Sequence, residues 1–221
     1  MEKVQIKISE NIYLKNPEES KLGRNILRYG IELMDQIGFE AFNFKKLAAV
    51  MGSTEASIYR YFENKHKLLL YLISWYWNWI EYHFVFKSEF LDDDETKLRL
   101  ALSLICKPIS LDPTYEHIDE DALYRVVVSE SVKVFLTKEV DKEEGQGCFE
   151  PYEKFCNRMA FLIQSLNPQY KYPNALTSAV IETAHNQQFF SKHMLNVTEV
   201  INESERSLLE FISNIVFKVI K

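Results

Sequence analysis

Two E-x-x-H segments, Glu63 to His66 and Glu182 to His185, hold a carboxylate and an imidazole three residues apart. On a helix that spacing puts both groups on one face, as in the carboxylate-bridged di-metal bundles. Such a centre also needs a glutamate from each of two further helices, which weighs against it here. The first pair stands at a helix start and reads as solvated. The second, beside Thr183 and Asn186, reads as a satisfied polar pair or the lining of a pocket. The chain has no Gly-rich phosphate loop, G-x-S-x-G elbow or Cys-His zinc pattern. No catalytic residue, metal ligand or cofactor is therefore expected.

The densest polar chemistry lies in "GSTEASIYRYFENKHKL", Gly52 to Leu68. Glu55, Ser57, Tyr59, Arg60, Tyr61 and Lys65 crowd into a segment that must be helical, and most are too polar for a core. Helices have to position them. In "ESKLGRNILRYGIELMDQIGF" the apolar residues Leu22, Ile26, Leu27, Ile31, Leu33, Met34 and Ile37 recur mostly at three- and four-residue steps, with Gly38 as the stop. Asn43 is placed to cap a short helix that buries Leu47, Ala48 and Val50 before Gly52 turns the chain. Thr54 is placed to cap a second short helix, "EASIYRYF", with Ile58 and Phe62 on its inner face. Two short helices joined through a glycine turn form a helix-turn-helix. Asn64 caps the long helix that follows, whose aromatic interior runs from Leu68 to about Phe86.

That long helix contains "LLLYLISWYWNWIEYHFVF", which Ser74, Asn78, Glu81 and His83 interrupt before the roughly 18 apolar residues of a membrane span are reached. It reads as a helix buried on most of its circumference, and no membrane contact is expected. Further helices are expected near 94–106, 119–137, 151–166, 174–194 and 199–220, separated by Asp92 to Asp94, Pro108, Pro113, the "DKEEGQG" loop, Pro168 and Pro173. The β-branched "YRVVVSESVKVF" also suits a strand, but its helical neighbours favour a helix. Before all this, "VQIKI" alternates in a strand-like way within an N-terminal arm that Pro17 ends.

The 221 residues are 47% apolar and 26% charged, with only six Gly and six Pro, which excludes a disordered chain and disfavours a turn-rich β fold. The net charge of −6 is unevenly spread: residues 21–67 carry +3, while residues 68–221 carry −8. A basic head thus precedes an acidic body, so the average does not argue against a polyanionic partner. Cys106, Cys148 and Cys156 form no CxxC pair, and the start of the chain has no basic-then-apolar leader, so a reducing cytoplasm is expected.

At Gly38-Phe39, Leu47-Ala48, "GSTEASIYRYF", Asn64-Lys65 and Leu68, the sequence resembles the TetR family of bacterial transcriptional regulators. The resemblance covers about residues 21–70. It departs at Ser53, usually apolar, at Ala56, usually Gly or Pro, and at Asn43-Phe44, where a Thr would offer phosphate a hydroxyl. It implies an all-α fold: an arm over 1–20, a three-helix DNA-binding head over 21–67, and a helical effector-binding and dimerisation body over 68–221. It also implies that Lys45, Tyr59, Tyr61 and Lys65 contact DNA.

A helix-turn-helix lays the start of its second helix in the major groove. Glu55, Ala56 and Ser57 occupy that end, the Glu suited to cytosine N4 and the others to a thymine methyl or base edge. Tyr59, Tyr61 and Arg60 follow, the phenols within reach of phosphate. Lys65, in the first turn of the next helix, pairs with the backbone N–H groups there as an anion site, and Lys45 and Lys46 are expected to clamp the other strand. Pocket candidates in the body are Trp75, Trp79, Tyr82, Arg125 and His185. The last helix carries Leu208, Ile212, Ile215 and Val219 on a wide apolar stripe, which with the preceding helix suits packing on a symmetry mate as a four-helix bundle. The expected partners are a near-palindromic double-stranded DNA operator, a small-molecule effector and a second copy of the chain. A DNA-binding protein with the same head and no effector pocket is the alternative, ahead of a di-metal enzyme.

Overall fold

The computed structural model describes residues 6–107, 115–200 and 205–221, and among these the regular structure is entirely helical. The helices are α1 (Lys21–Ala41), α2 (Phe44–Met51), α3 (Glu55–Tyr59), α4 (Lys65–Ser88), α5 (Asp94–Cys106), α6 (Glu120–Glu130), α7 (Val132–Phe135), α8 (Val140–Gly145), α9 (Glu150–Leu166), α10 (Pro173–His193) and α11 (Glu205–Ile220). No helix among the described residues is long and apolar enough to cross a membrane. The three cysteines are free thiols.

Local chemistry accounts for the boundaries. Ser20 caps α1 by accepting from the Gly23 N–H at 2.9 Å, and Asp93 caps α5 by accepting from Thr96 at 2.8 Å. Gly38 breaks α1 near its end with φ 72° and ψ 160°, a conformation that costs a residue with a Cβ dearly. Gly52 ends α2 in the left-handed region, φ 61° and ψ 37°.

Several expected elements differ in detail. The "DKEEGQG" segment is mostly helical, forming α8 before Gly147 turns the chain at φ 69°. The run expected over 119–137 is two helices, because Ser131 turns its hydroxyl back onto the Val127 carbonyl and the ladder restarts as α7. Within "VQIKI", residues 6–8 form no strand, and the rest lies outside the described residues. Of the helix expected over 199–220, Glu199 and Val200 are not helical, and residues 201–204 lie outside the described residues.

The chain forms two compact units. Met1–Asn78 with Ile109–Glu150 makes the first, and Trp79–Pro108 with Pro151–Lys221 the second. In the first, Ile26, Leu27 and Ile31 of α1, Leu47 of α2, Ile58 of α3, Phe62, Leu68 of α4 and Val127 of α6 are fully or almost fully buried. Removing one such side chain from water stabilises the fold by about 1.5–3 kcal/mol. The N-terminal arm joins this core: Ile12 is buried, the Leu14 N–H donates to the Tyr61 carbonyl at 2.8 Å, and Tyr13 meets Tyr71 edge to face. A Cβ at Gly23 would lie 2.2 Å from the Pro17 carbonyl oxygen, so only glycine lets the arm cross α1 there. In the second unit α11 packs on α5 and α10, burying Leu208, Ile212, Val216 and Ile220.

Candidate nucleic-acid interface

The surface that could meet DNA is built on α2, the Gly52 turn and α3. Asn43 opens α2 by accepting from the Lys46 N–H at 2.9 Å, so the first turn and its two lysines are fixed at the head's surface. Lys45 is exposed and makes no hydrogen bond or ion pair among the described residues, whereas Lys46 donates to the Ala41 carbonyl at 2.7 Å. Thr54 precedes α3, but its hydroxyl meets Ser57 Oγ at 2.9 Å instead of capping a backbone N–H. With only five residues, α3 is three shorter than its sequence suggests. It is anchored by fully buried Ile58, while Glu55 and Ala56 are exposed and Ser57 is half-buried.

Tyr59 is 49% exposed, and its ring stands edge-on to Phe44 with centroids 5.0 Å apart. Phe44, read from the sequence only as the loss of a Thr hydroxyl, is thus the support that aims Tyr59. Arg60 is exposed, its guanidinium 3.4 Å from Ser57 Oγ.

Two expected phosphate contacts are committed elsewhere. Tyr61 is 3% exposed, and its hydroxyl lies 2.8 Å from Ser20 Oγ, the cap of α1. It belongs to the core because it closes the contact between α1 and the segment after α3. The Lys65 ammonium donates to the carbonyls of Phe39 at 2.8 Å, Phe42 at 3.2 Å and Glu40 at 3.3 Å, and lies 4.4 Å from the Phe39 ring centroid. An ammonium has three donors, and all three are used. Lys65 therefore ties the start of α4 to the broken end of α1. Asn64 does cap α4, accepting from the Lys67 N–H at 2.9 Å. His66, of the first E-x-x-H pair, meets the Glu143 carboxylate at 3.0 Å, which Lys67 also contacts at 2.9 Å.

The expected pocket residues are divided between the two units. Trp75 is buried in the first unit, edge-on to Tyr115. Arg125, also there, is exposed and makes a bidentate ion pair with Asp35 at 2.8–3.1 Å, so its charge is spent on α1. In the second unit Trp79 is buried between partners, stacked with Tyr82 at 5.9 Å and edge-on to His83 at 4.2 Å. His185 is 4% exposed, and burial pushes its pKa down to about 4, which keeps the ring neutral. Near Tyr152 and Cys156, half-buried Glu182 has its carboxyl pushed up by desolvation. Sequence reading passed over Tyr152 and weighed Cys156 only for cysteine pairing, because a tyrosine and a cysteine four apart also suit a plain core face.

Of the expected dimer residues, Leu208 and Ile212 face the chain's own α5 and α10 and are buried there. Ile215 is half-buried and Val219 48% exposed, and with Phe211 at 38% they run up the outer side of α11 at four-residue steps.

Residues 26–72 match the family model of bacterial regulatory proteins, tetR family. The fold is similar to AibR in complex with isovaleryl coenzyme A and operator DNA, with TM-score 0.60 and 13% identity over 88% of this chain and 98% of that one. It is similar also to a transcriptional regulator of Saccharomonospora viridis in complex with choline, with TM-score 0.60 and 17% identity over 88% and 94% of the two chains. KstR2 of Mycobacterium tuberculosis, a ketosteroid transcriptional regulator, has TM-score 0.54 and 12% identity over 91% and 93%. At these identities the likeness is one of fold. No curated protein matches the sequence.

Proposed function

We propose that this chain, whose residues 26–72 match the family model of tetR-family bacterial regulatory proteins, is a member of that family and a cytoplasmic homodimeric repressor that a small molecule releases from its operator. The observation that carries the DNA-binding part is the outward presentation of Glu55, Ala56 and Tyr59 on a helix held from behind by Ile58 and Phe44. A short helix so anchored presents side chains to a major groove without having to order them on binding. Glu55, Ala56 and Ser57 read base edges; Tyr59, Arg60, Lys45 and Lys46 hold phosphates. Lys46 reaches a phosphate only by giving up its bond to Ala41.

Two heads in a dimer grip half-sites about one helical turn, ~34 Å, apart or more. The outer stripe of α11, Phe211, Ile215 and Val219, is the surface offered to the second copy. Similar structures bound to isovaleryl coenzyme A and to choline support an effector of small organic type. Trp79, Tyr82, His185 and Glu182 in the second unit are the residues offered to it. An effector that binds better to one head spacing than to the other shifts the population between them. Such a role needs no catalytic group, and the family consists of regulators.

The test is selection from a random-sequence DNA pool, followed by fluorescence-anisotropy binding at several salt concentrations beside Tyr59→Ala. A recovered near-palindrome that binds tightly and loses affinity in the variant supports the reading. Recovery of no sequence preference sinks it.

A further inference from the structure

We infer that Glu130, at the end of α6, is the positioning residue through which α6 sets the seating of the recognition helix α3. This deepens the regulator reading and rests on it for the DNA-binding consequence alone. Glu130 is 7% exposed, and its Oε1 accepts a hydrogen bond from the Phe39 N–H at 3.0 Å, across 91 positions of sequence. The approach is possible because the preceding residue is Gly38. A Cβ there would meet Glu130 Oε1 at 3.4 Å, and the φ of 72° disfavours any residue that has one.

The Phe39 backbone is held on both sides of its Cα. Its N–H is bound by Glu130 from α6, and its carbonyl is bound by Lys65, the first residue of α4. Lys65 follows α3 after a link of five residues, within which the Tyr61 and Phe62 amides donate back to the Ile58 carbonyl. The path from α6 to α3 is therefore Glu130, the backbone of Phe39, Lys65 and that short link. Lys133 completes the grip, its ammonium 3.3 Å from Glu130 Oε2 and 2.8 Å from Glu40 Oε1. Four residues before Phe39, Asp35 is held by Arg125 of the same α6.

A movement of α6 cannot leave these groups behind. The carboxylate is buried, so a stretched bond to Phe39 is not replaced by water at little cost, and the Phe39 backbone follows it. When that backbone moves, the Phe39 carbonyl, one Cα further on, is displaced from the Lys65 ammonium at the start of α4. Burial, two bonded oxygens and a break in α1 that admits the carboxylate are together more than the packing of α6 on α1 requires.

The test uses the full chain as Glu130→Ala and Glu130→Gln, with operator DNA recovered by the wild type. Glutamine keeps an amide oxygen for the Phe39 N–H and gives up the charge and the oxygen that faces Lys133. In Glu130→Ala, amide exchange at residues 39–42 and at Tyr61 and Phe62 is expected to quicken, while α9 and α10 keep wild-type rates. Affinity for the operator is expected to fall about tenfold, within the usual range of coupling between sites, at an unchanged salt slope. Glu130→Gln is expected to restore most of both. Exchange quickened equally in every helix would mean a merely structural carboxylate and overturn the inference. So would Tyr61 and Phe62 amides unaltered in Glu130→Ala, or a Glu130→Gln variant no better than Glu130→Ala. A wild type that recovers no operator would overturn the regulator reading, while the exchange rates would still decide the role of Glu130.

Discussion

The Lys65 ammonium lies 2.8 Å from the Phe39 carbonyl oxygen and 4.4 Å from the centroid of the same residue's ring, so one side chain holds both the main chain and the ring of Phe39. Lys65→Ala leaves three carbonyls at the end of α1 without their donor. The expected cost is about 1–3 kcal/mol of stability, read by urea unfolding. The salt dependence of DNA binding is expected to keep its slope in this variant, since the ammonium is not released from a phosphate when binding is lost. A slope flattened by a full unit would return Lys65 to the contact surface.

Lys45 and Glu55 separate the two kinds of contact. Lys45→Ala is expected to weaken binding to all sequences alike and to lower the salt slope by about one unit. Glu55→Ala is expected to leave the slope alone and to change which bases are recovered from a random pool at its position. Recovered sequences identical to those of the wild type would exclude base reading by Glu55.

His185 gives a pH dependence whose sign follows from burial. Its pKa falls from 6.5 to about 4 on folding, so the folded state holds the proton less tightly than the unfolded chain. Its contribution is present above pH 6.5 and is lost as pH falls toward 4, to a total of about 3 kcal/mol. Urea unfolding of His185→Gln between pH 7 and 4 is expected to show a shallower fall than the wild type. Parallel curves would mean that the ring does not titrate in that window.

The outer stripe of α11 is tested by Ile215→Glu, with sedimentation velocity as the measurement. The buried inner stripe of Leu208, Ile212 and Val216 is untouched by this change, so the helix is expected to keep its place while the dimer dissociates. A dimer of undiminished affinity would move the interface elsewhere.

Some helix positions and caps were legible in the sequence because one residue decides them: Asn43, Gly52 and Asn64 act locally, through bonds to their own neighbours, whereas Thr54, read as a cap, spends its hydroxyl on Ser57. The roles of Lys65 and Tyr61 were not legible, because each is settled by a partner more than twenty residues away, Phe39 in one case and Ser20 in the other. A free lysine and one whose ammonium is taken up by three carbonyls read identically in a helical pattern. Arg125 misled for the same reason, its charge being answered by Asp35 from α1. The stripe on α11 was wide enough to reveal two faces but not to say which belonged to the chain itself. Phe44 was noticed as a departure and proved to be the prop for Tyr59, a role visible only once the two helices are crossed.

The arm over residues 6–20, with Leu14 bonded to Tyr61 and Pro17 lodged against Gly23, bears on how such a protein can be recombined. A chimera cut at the start of α1 would import a foreign arm onto a surface shaped for this one, or leave Ile12's site open to water. Transplanting the DNA-reading portion therefore requires carrying the arm along with it, and Gly23 becomes a marker of whether a donor sequence can accept one.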